Sequence, residues 1–188
     1  MNRVHRIMLL EALQSGRITH TMTDGNREFV TLLTCICVDR TSIPVSLIYK
    51  GESHDLQNSW VDQIEETDEV YFATSANGWT CKSLGLQWLQ KVFDPATKVK
   101  AGRSKRLLIV NRYSSHVNME FINWADWNSI IIHILPTHMT HQLQLLNVGL
   151  FSPLSTTYLN QLNSLMHKGL GMVSMTKRFF YPLFRDAY

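Results

Sequence analysis

An asparagine stands at the end of an apolar run in the segment RLLIVNRYSSH, residues 106–116. The run Leu107–Val110 predicts a buried strand, and Asn111 follows it directly. Open α/β sheets hold ligands and metals at the carboxyl ends of their strands, so Asn111 is at a position suited to binding. A second asparagine, Asn147 in LQLLNVGLFSPL, follows another apolar run and would converge on the first. A Mg²⁺ site would need carboxylates at such positions, because this cation prefers anionic oxygen ligands.

The segment KVKAGRSKR carries five cations and no acid. Such a segment could contact nucleic-acid phosphates, and each contact would add salt-dependent affinity. A solvated loop before a strand explains the same charges, and the sequence alone favours that interpretation. The candidate DNA-binding residues are Lys98, Lys100, Arg103, Lys105 and Arg106.

Three histidines offer a different chemistry, that of a metal-dependent α/β enzyme. His138 and His141 lie three residues apart, and His116 follows the strand that ends at Asn111. Neither a cysteine nor a carboxylate accompanies the pair at a zinc-ligand spacing, so polar loop histidines are favoured and no metal site is predicted. The five tryptophans are interpreted as core or edge packing, because most fall on apolar faces.

Composition favours one globular domain without a membrane span. The chain has 188 residues, of which 45% are hydrophobic and 18% charged, with a formal net charge of +3. Cys35, Cys37 and Cys81 have no metal-binding spacing and are interpreted as reduced thiols of an intracellular protein. Glu11 and Gln14 interrupt the first apolar stretch too early for a secretion signal.

The predicted elements alternate as in an α/β domain with a mixed sheet. Apolar and β-branched runs predict strands at residues 28–38, 43–50, 69–75, 106–111 and 129–136, and the first two form a hairpin. The strands at 106–111 and 129–136 are predicted to be buried on both faces. Helical periodicity predicts a helix at 83–93 that ends near Pro95, a helix capped by Ser114 or Ser115, and a helix from Pro153 to Gly169.

A series of short sequence motifs, in a fixed order, resembles the motifs of one protein family. The motifs are GNREFVTLL, GWT, LGLQWL, LLIVN, SSHVN, ILP, THQLQ and VGLFSPL. They resemble the catalytic domain of fungal pogo-type transposases, which are DDE superfamily endonucleases related to the jerky and centromere protein B group. The resemblance extends over nearly the whole chain, from about Arg6 to Tyr188.

The resemblance implies a ribonuclease H-like domain in which three acidic residues hold two Mg²⁺ or Mn²⁺ ions for cutting and joining DNA. It also implies DNA as the partner and the nucleus as the location. The family's first acid would lie upstream of Met1, so the chain is expected to be a single truncated domain, residues 1–188, that lacks its first, central strand.

The chain departs from the family at the acidic positions. The family's Asp-Gly-His reads here as Asn111, Arg112 and Tyr113, and the Asp of its Gln-Pro-Leu-Asp-Val-Gly reads as Asn147, with Leu145 replacing the Pro. Each of these five changes can arise from one C-to-T or G-to-A transition, which suggests a transposon copy damaged by cytosine mutation. We expect a degenerate transposase remnant that holds no metal and has no strand-transfer activity. The alternative is a domesticated DNA-binding or protein-interaction module.

Overall fold

The computed structural model describes residues 5–6, 30–51, 56–61, 63–65, 67–110, 117–136, 146–168 and 176–188. The strands within these ranges are β1 (His5–Arg6), β2 (Val30–Leu33), β3 (Val45–Lys50), β4 (Val70–Ser75), β5 (Arg106–Val110) and β6 (Ile130–Ile134). The α-helices are α1 (Lys82–Trp88), α2 (Asp94–Ala101), α3 (Met119–Trp127), α4 (Ser152–Lys168) and α5 (Lys177–Ala187). A 3-10 turn covers Asn58–Trp60, and π-helical turns cover Leu89–Phe93 and Asn147–Phe151. The predicted α/β class is confirmed.

The larger sheet contains four strands in the order β1-β2-β3-β4. The strands β2 and β3 are antiparallel, with Val30 opposite Tyr49, which confirms the predicted hairpin. Pairing beyond Leu33 is reduced to an isolated bridge between Ile36 and Ser42, so β2 is shorter than predicted. The strands β3 and β4 are parallel, and the sheet is therefore mixed.

The smaller sheet consists of β5 and β6, which run parallel with Arg106 opposite Ile130. One face is buried, since Leu108 and Val110 are 2% and 0% exposed. The opposite face carries three exposed apolar side chains: Leu107 (59%), Ile109 (47%) and Ile131 (49%). The prediction that these strands are buried on both faces is therefore wrong. A continuous apolar run requires helices on both sides for full burial, and the described helices cover only one side of this sheet.

One layer of helices covers the same side of both sheets. Its core joins side chains from β2, β3, β5 and β6 to side chains of α1, the π-helical turn after it, and α3: Leu33, Ile48, Trp88, Leu89, Val92, Phe93, Leu108, Val110, Phe121, Ala125 and Ile130. The two sheets share this core although no described strand pairs with both. The arrangement is consistent with a ribonuclease H-like fold.

The helix in this layer does not end at Pro95 as predicted. It passes through the π-helical turn Leu89–Phe93 and continues as α2 to Ala101. The backbone N–H of Asp94 donates to the carbonyl oxygen of Leu89, five residues earlier. Proline ends a helix because it lacks an N–H and its ring clashes with a carbonyl one turn earlier. The wider π-helical turn changes that spacing, so Pro95 occupies the first turn of α2, where proline is tolerated.

The helix α3 begins later than predicted. Its N-cap is Asn118, whose Oδ1 accepts a 2.9 Å hydrogen bond from the backbone N–H of Phe121. Ser114 and Ser115, the predicted caps, lie outside the described residues. Of the apolar face predicted for this helix, Val117, Phe121 and Trp124, Phe121 is fully buried and the other two are half-buried. The side-chain amide of Asn118 meets the same requirement that the serines were expected to meet.

Two further helices cover the other side of the larger sheet. Helical periodicity predicts that Leu154, Tyr158, Leu162 and Leu165 of α4 face the core; the first three are buried and Leu165 is half-buried. Sequence analysis did not predict α5, which buries Phe180, Tyr181 and Phe184. These residues and the sheet residues Val30, Leu32, Val45, Leu47 and Tyr49 form a second core. The larger sheet is thus enclosed between two helical layers.

Candidate nucleic-acid interface

The two asparagines lie at the ends of described elements. The strand β5 ends at Val110, and Asn111 is the next residue, outside the described ranges. Asn147 is the first residue of the π-helical turn that leads into α4, and its side chain is not described. Because β5 and β6 are parallel, their carboxyl ends meet at one edge, and the chain enters Asn111 at that edge. A direct contact between the two asparagines remains a prediction.

The sequence favoured a solvated loop for the basic segment, but its first part is helical. Lys98 and Lys100 lie in the last turn of α2, which ends at Ala101. Gly102 has a φ of 56°, a left-handed conformation that suits glycine at the end of a helix. A tight turn follows, in which the N–H of Ser104 donates to the carbonyl oxygen of Ala101 at 2.9 Å. The helix end and this turn therefore carry the cations of the segment in a short stretch of chain, with Lys98 and Lys100 on different sides of α2.

Arg106 is engaged inside the protein. Its side chain is 8% exposed, and its Nη2 lies 2.7 Å from Oδ1 of Asp94. The guanidinium also donates to Oγ1 of Thr97 at 3.1 Å and to the carbonyl oxygen of Asn128 at 2.6 Å. These contacts connect β5 to α2 and to the turn before β6. We therefore exclude Arg106 from the candidate DNA contacts, because its donors are used within the fold.

Lys98 and Lys100 each have an acidic neighbour. The Nζ of Lys98 lies 3.8 Å from Oδ2 of Asp94, and 63% of the lysine side chain is exposed. The Nζ of Lys100 lies 3.2 Å from Oδ2 of Asp39 and also contacts the hydroxyl of Thr41. The hydroxyl and N–H of Thr41, assisted by Lys100, lower the pKa of Asp39 to about 2. The Lys100–Asp39 pair is at the surface, where water and salt screen it, whereas Asp94 in the Lys98 pair is 14% exposed.

Arg103 and Lys105 are exposed, and neither forms an ion pair within the described residues. Together with Lys98 and Lys100 they form what we call the basic surface. This surface lies at the amino end of β5, and Asn111 follows the carboxyl end. Five residues of strand separate the two ends by about 13 Å. The basic surface therefore lies about one strand length from Val110, the residue before Asn111.

The other sequence candidates are less informative. His116, His138 and His141 lie outside the described residues. The described part of the chain contains no group of three or more His, Cys, Asp or Glu side chains able to hold a metal ion. Trp88 is buried, which confirms its predicted packing role, whereas Trp127 is 80% exposed and is not part of the core.

One neighbour of the basic surface was missed by sequence analysis. The turn between β2 and β3 carries Arg40, and Lys100 contacts residues on both sides of it. Arg40 is far from the basic segment in sequence, and no local pattern links the two. Only the long-range contact of Lys100 with Asp39 reveals that the two segments are adjacent.

The match to known families agrees with the fold. The family model for DDE superfamily endonucleases matches residues 26–178, which is well over half of the chain. This chain belongs to the DDE superfamily endonuclease family. The endonuclease family acts on DNA, so the matched residues support a function related to transposition and nucleic acids. The matched range includes both asparagines and the whole basic surface.

A curated relative carries a different kind of name. A protein of Cochliobolus lunatus called MFS-type transporter clz9 is 32% identical over 163 residues. The matched region is 87% of this chain but 17% of that protein, so the chain spans about a sixth of the relative's length. No described helix of this chain is long and apolar enough to cross a membrane. No solved structure matches the chain.

Proposed function

We propose that this chain is a single DNA-binding domain descended from a pogo-type fungal transposase and that it does not cut or join DNA strands. The observation that carries the proposal is the basic surface at residues 98–105 in a member of the DDE superfamily endonuclease family. A nuclear location follows from this function. The name of the curated relative is not carried over, because the shared region is 17% of that protein.

The donor chemistry at the family's acidic positions does not fit two divalent ions. By resemblance, Asn111 and Asn147 occupy positions at which the family has aspartates. An amide oxygen is neutral, whereas Mg²⁺ is a small hard cation that binds carboxylates and phosphate oxygens most strongly. Two-metal catalysis also needs negative charge to hold the two cations close together. Asn111 and Asn147 are therefore not expected to hold a catalytic pair of metal ions.

The basic surface supports binding without chemistry. Its four cations are close in sequence, exposed or partly exposed, and arranged at the end of a helix and the turn after it. The partial pairing of Lys98 and Lys100 leaves Arg103 and Lys105 as the cations most available to an anionic partner. Neutralising DNA phosphates releases condensed counterions, and this release supplies the affinity of sequence-independent binding.

The binding proposal is tested by fluorescence anisotropy with a random-sequence duplex at several salt concentrations between 50 and 200 mM. We expect binding that weakens linearly in log affinity against log salt, with a slope of about −0.9 for each phosphate neutralised. The triple variant K98A/R103A/K105A should bind more weakly with a shallower slope. The control is Lys82→Ala, which removes one exposed cation at the start of α1. Equal affinity of the triple variant and the wild type would contradict the proposal.

The absence of cleavage is tested with supercoiled plasmid DNA. Purified protein with Mg²⁺ or Mn²⁺ should leave the plasmid uncut, since neutral amides hold such ions poorly. Asn111→Ala and Asn147→Ala are the matched variants, and both should behave like the wild type. Metal-dependent nicking by the wild type that either substitution abolishes would refute this half of the proposal and leave the binding half intact.

A further inference from the structure

The turn between β2 and β3 holds an arginine in a strained conformation. The N–H of Arg40 donates to the carbonyl oxygen of Cys37 at 3.1 Å, and the N–H of Cys37 donates to the carbonyl oxygen of Thr41 at 2.7 Å. The φ of Arg40 is 68°, in the left-handed region that glycine or asparagine normally occupies in such a turn. A long side chain at this position is unfavourable for the backbone.

No contact with the described residues explains the arginine. The Arg40 side chain is exposed and makes no hydrogen bond or ion pair with the described residues. Residues held in sparsely populated backbone conformations cluster at functional sites. Glycine would form the same turn without strain, so the guanidinium is the feature that distinguishes Arg40 from the residue the turn favours.

The turn is held against the basic surface. The Nζ of Lys100 lies 3.2 Å from Oδ2 of Asp39 and contacts the hydroxyl of Thr41. Thr41 also donates its N–H and its hydroxyl to Oδ1 of Asp39, at 3.0 and 2.6 Å. The carboxylate of Asp39 therefore has its partners within the turn and α2. This arrangement holds the turn that carries Arg40 beside Lys100, one of the four cations of the basic surface.

We propose that the turn 38–41 is part of the DNA-binding surface and that Arg40 contacts a backbone phosphate of duplex DNA. This inference rests on the proposed DNA binding and extends the binding surface to the turn between β2 and β3 of the larger sheet. Val38 and Val99, which are 104% and 88% exposed, flank the cations and can lie against the sugars of the backbone. Residues 38–41 and 98–105 contain no aromatic side chain.

The residue types of those two segments favour a duplex over a single strand. Proteins that bind single strands stack bases on aromatic side chains, and residues 38–41 and 98–105 contain none. Arginine and lysine contacts to phosphates position a protein on a duplex without reading its sequence. The surface is therefore suited to a duplex in a sequence-independent manner.

The test compares Arg40→Gly, Arg40→Gln, Arg40→Lys and the control Lys82→Ala with the wild type, by anisotropy on duplex and single-stranded DNA. Loss of one phosphate contact should reduce the slope of log affinity against log salt by about 0.9. Raising the salt from 50 to 200 mM should then weaken the variant about 3.5-fold less than it weakens the wild type. Arg40→Gly and Arg40→Gln should both show this change, and Arg40→Lys should retain the slope. Arg40→Gly should melt at the same temperature as the wild type or higher, because it relieves the strain.

Each other outcome would overturn the inference in a distinguishable way. If Arg40→Gly and Arg40→Gln keep the wild-type slope while K98A/R103A/K105A loses it, the DNA-binding function stands and the role of Arg40 falls. If the wild type fails to bind duplex DNA, both fall. Tighter binding of single strands, of vesicles containing phosphatidylserine, or of a poly-glutamate peptide than of the duplex would refute the assignment to duplex DNA.

Discussion

The two sheets of this protein share a helical layer but differ in what lies on their other side. The larger sheet is enclosed, with Leu32 and Leu47 on the face that α4 and α5 cover. The smaller sheet has the same kind of apolar strands, yet Leu107 and Ile131 remain about half exposed on the equivalent face. The comparison shows that the composition of a strand does not determine whether both of its faces are buried. The number of helices available to cover it does.

The largest expected effect is loss of the second helical layer of the larger sheet. Phe184 in α5 is 1% exposed and stacks on Phe180 and Tyr188, with ring centroids 5.9 and 5.3 Å apart. Phe184→Ala should lower the free energy of unfolding by about 4 kcal/mol through lost burial and a cavity. Trp127→Ala, at an exposed aromatic on α3, should cost less than about 1 kcal/mol. Urea denaturation of both variants measures the difference. Equal losses would show that Phe184 is not packed in a second helical layer.

The next effect concerns how the smaller sheet is attached. Arg106→Ala should lower the free energy of unfolding by about 3 kcal/mol, because Asp94, 14% exposed, would lose its close partner and keep only the 3.8 Å contact with Lys98, while Thr97 and Asn128 would lose a donor. Lys105→Ala, one residue earlier and exposed, should change stability by less than about 0.5 kcal/mol. Thermal and urea unfolding provide the measurement. A cost for Arg106→Ala as small as that for Lys105→Ala would show that the buried ion pair does not hold the sheet in place.

A third test compares the two faces of β5 directly. Leu108 is 2% exposed and Leu107 is 59% exposed, so adjacent leucines sample the covered and the bare face of one strand. Leu108→Ala should cost more stability than Leu107→Ala by about 2 kcal/mol, since only the former leaves a cavity. Chemical denaturation of the two variants gives the difference. If Leu107→Ala is as costly, the bare face is covered in solution.

The smallest expected effect is in the turn between β2 and β3, which contacts Lys100 of α2. The folded pKa of Asp39 is lowered to about 2 from an ordinary 3.8, chiefly by the hydroxyl of Thr41. The stabilisation linked to this group is therefore present above about pH 4 and is lost as the pH falls towards 2. Thr41→Val should raise the pKa of Asp39 towards its ordinary value, and Thr41→Ser should leave it low. A carboxyl NMR titration measures both, and an unchanged value in the valine variant would contradict the assignment.

Local patterns predicted most of the secondary structure, and long-range contacts account for most of what was missed. The hairpin, β5, β6 and the buried side of α4 follow from apolar runs and helical periodicity. The helix α5 was missed because Pro182 interrupts its aromatic residues, and proline argues against a helix interior. Burial of Phe180 and Phe184 on the sheet outweighs that local preference.

The candidate site was predictable only in part. Residue types identified the basic segment and the resemblance identified Asn111 and Asn147, but no local signal could show that Arg106 is buried. Its partners Thr97 and Asn128 are 9 and 22 residues away, and the fold alone brings them together. The adjacency of Arg40 to Lys100 depends in the same way on a contact across about 60 residues.

The π-helical turn sets the rotational phase of everything that follows it along the same helix. A regular helix turns about 100° per residue, so removing one residue from Leu89–Phe93 would rotate α2 by about that angle relative to α1. Asp94 would then face away from Arg106, and Lys100 would leave Asp39. The anchor of the smaller sheet and the alignment of the cations therefore depend on one extra residue in a helix whose sequence looks uninterrupted.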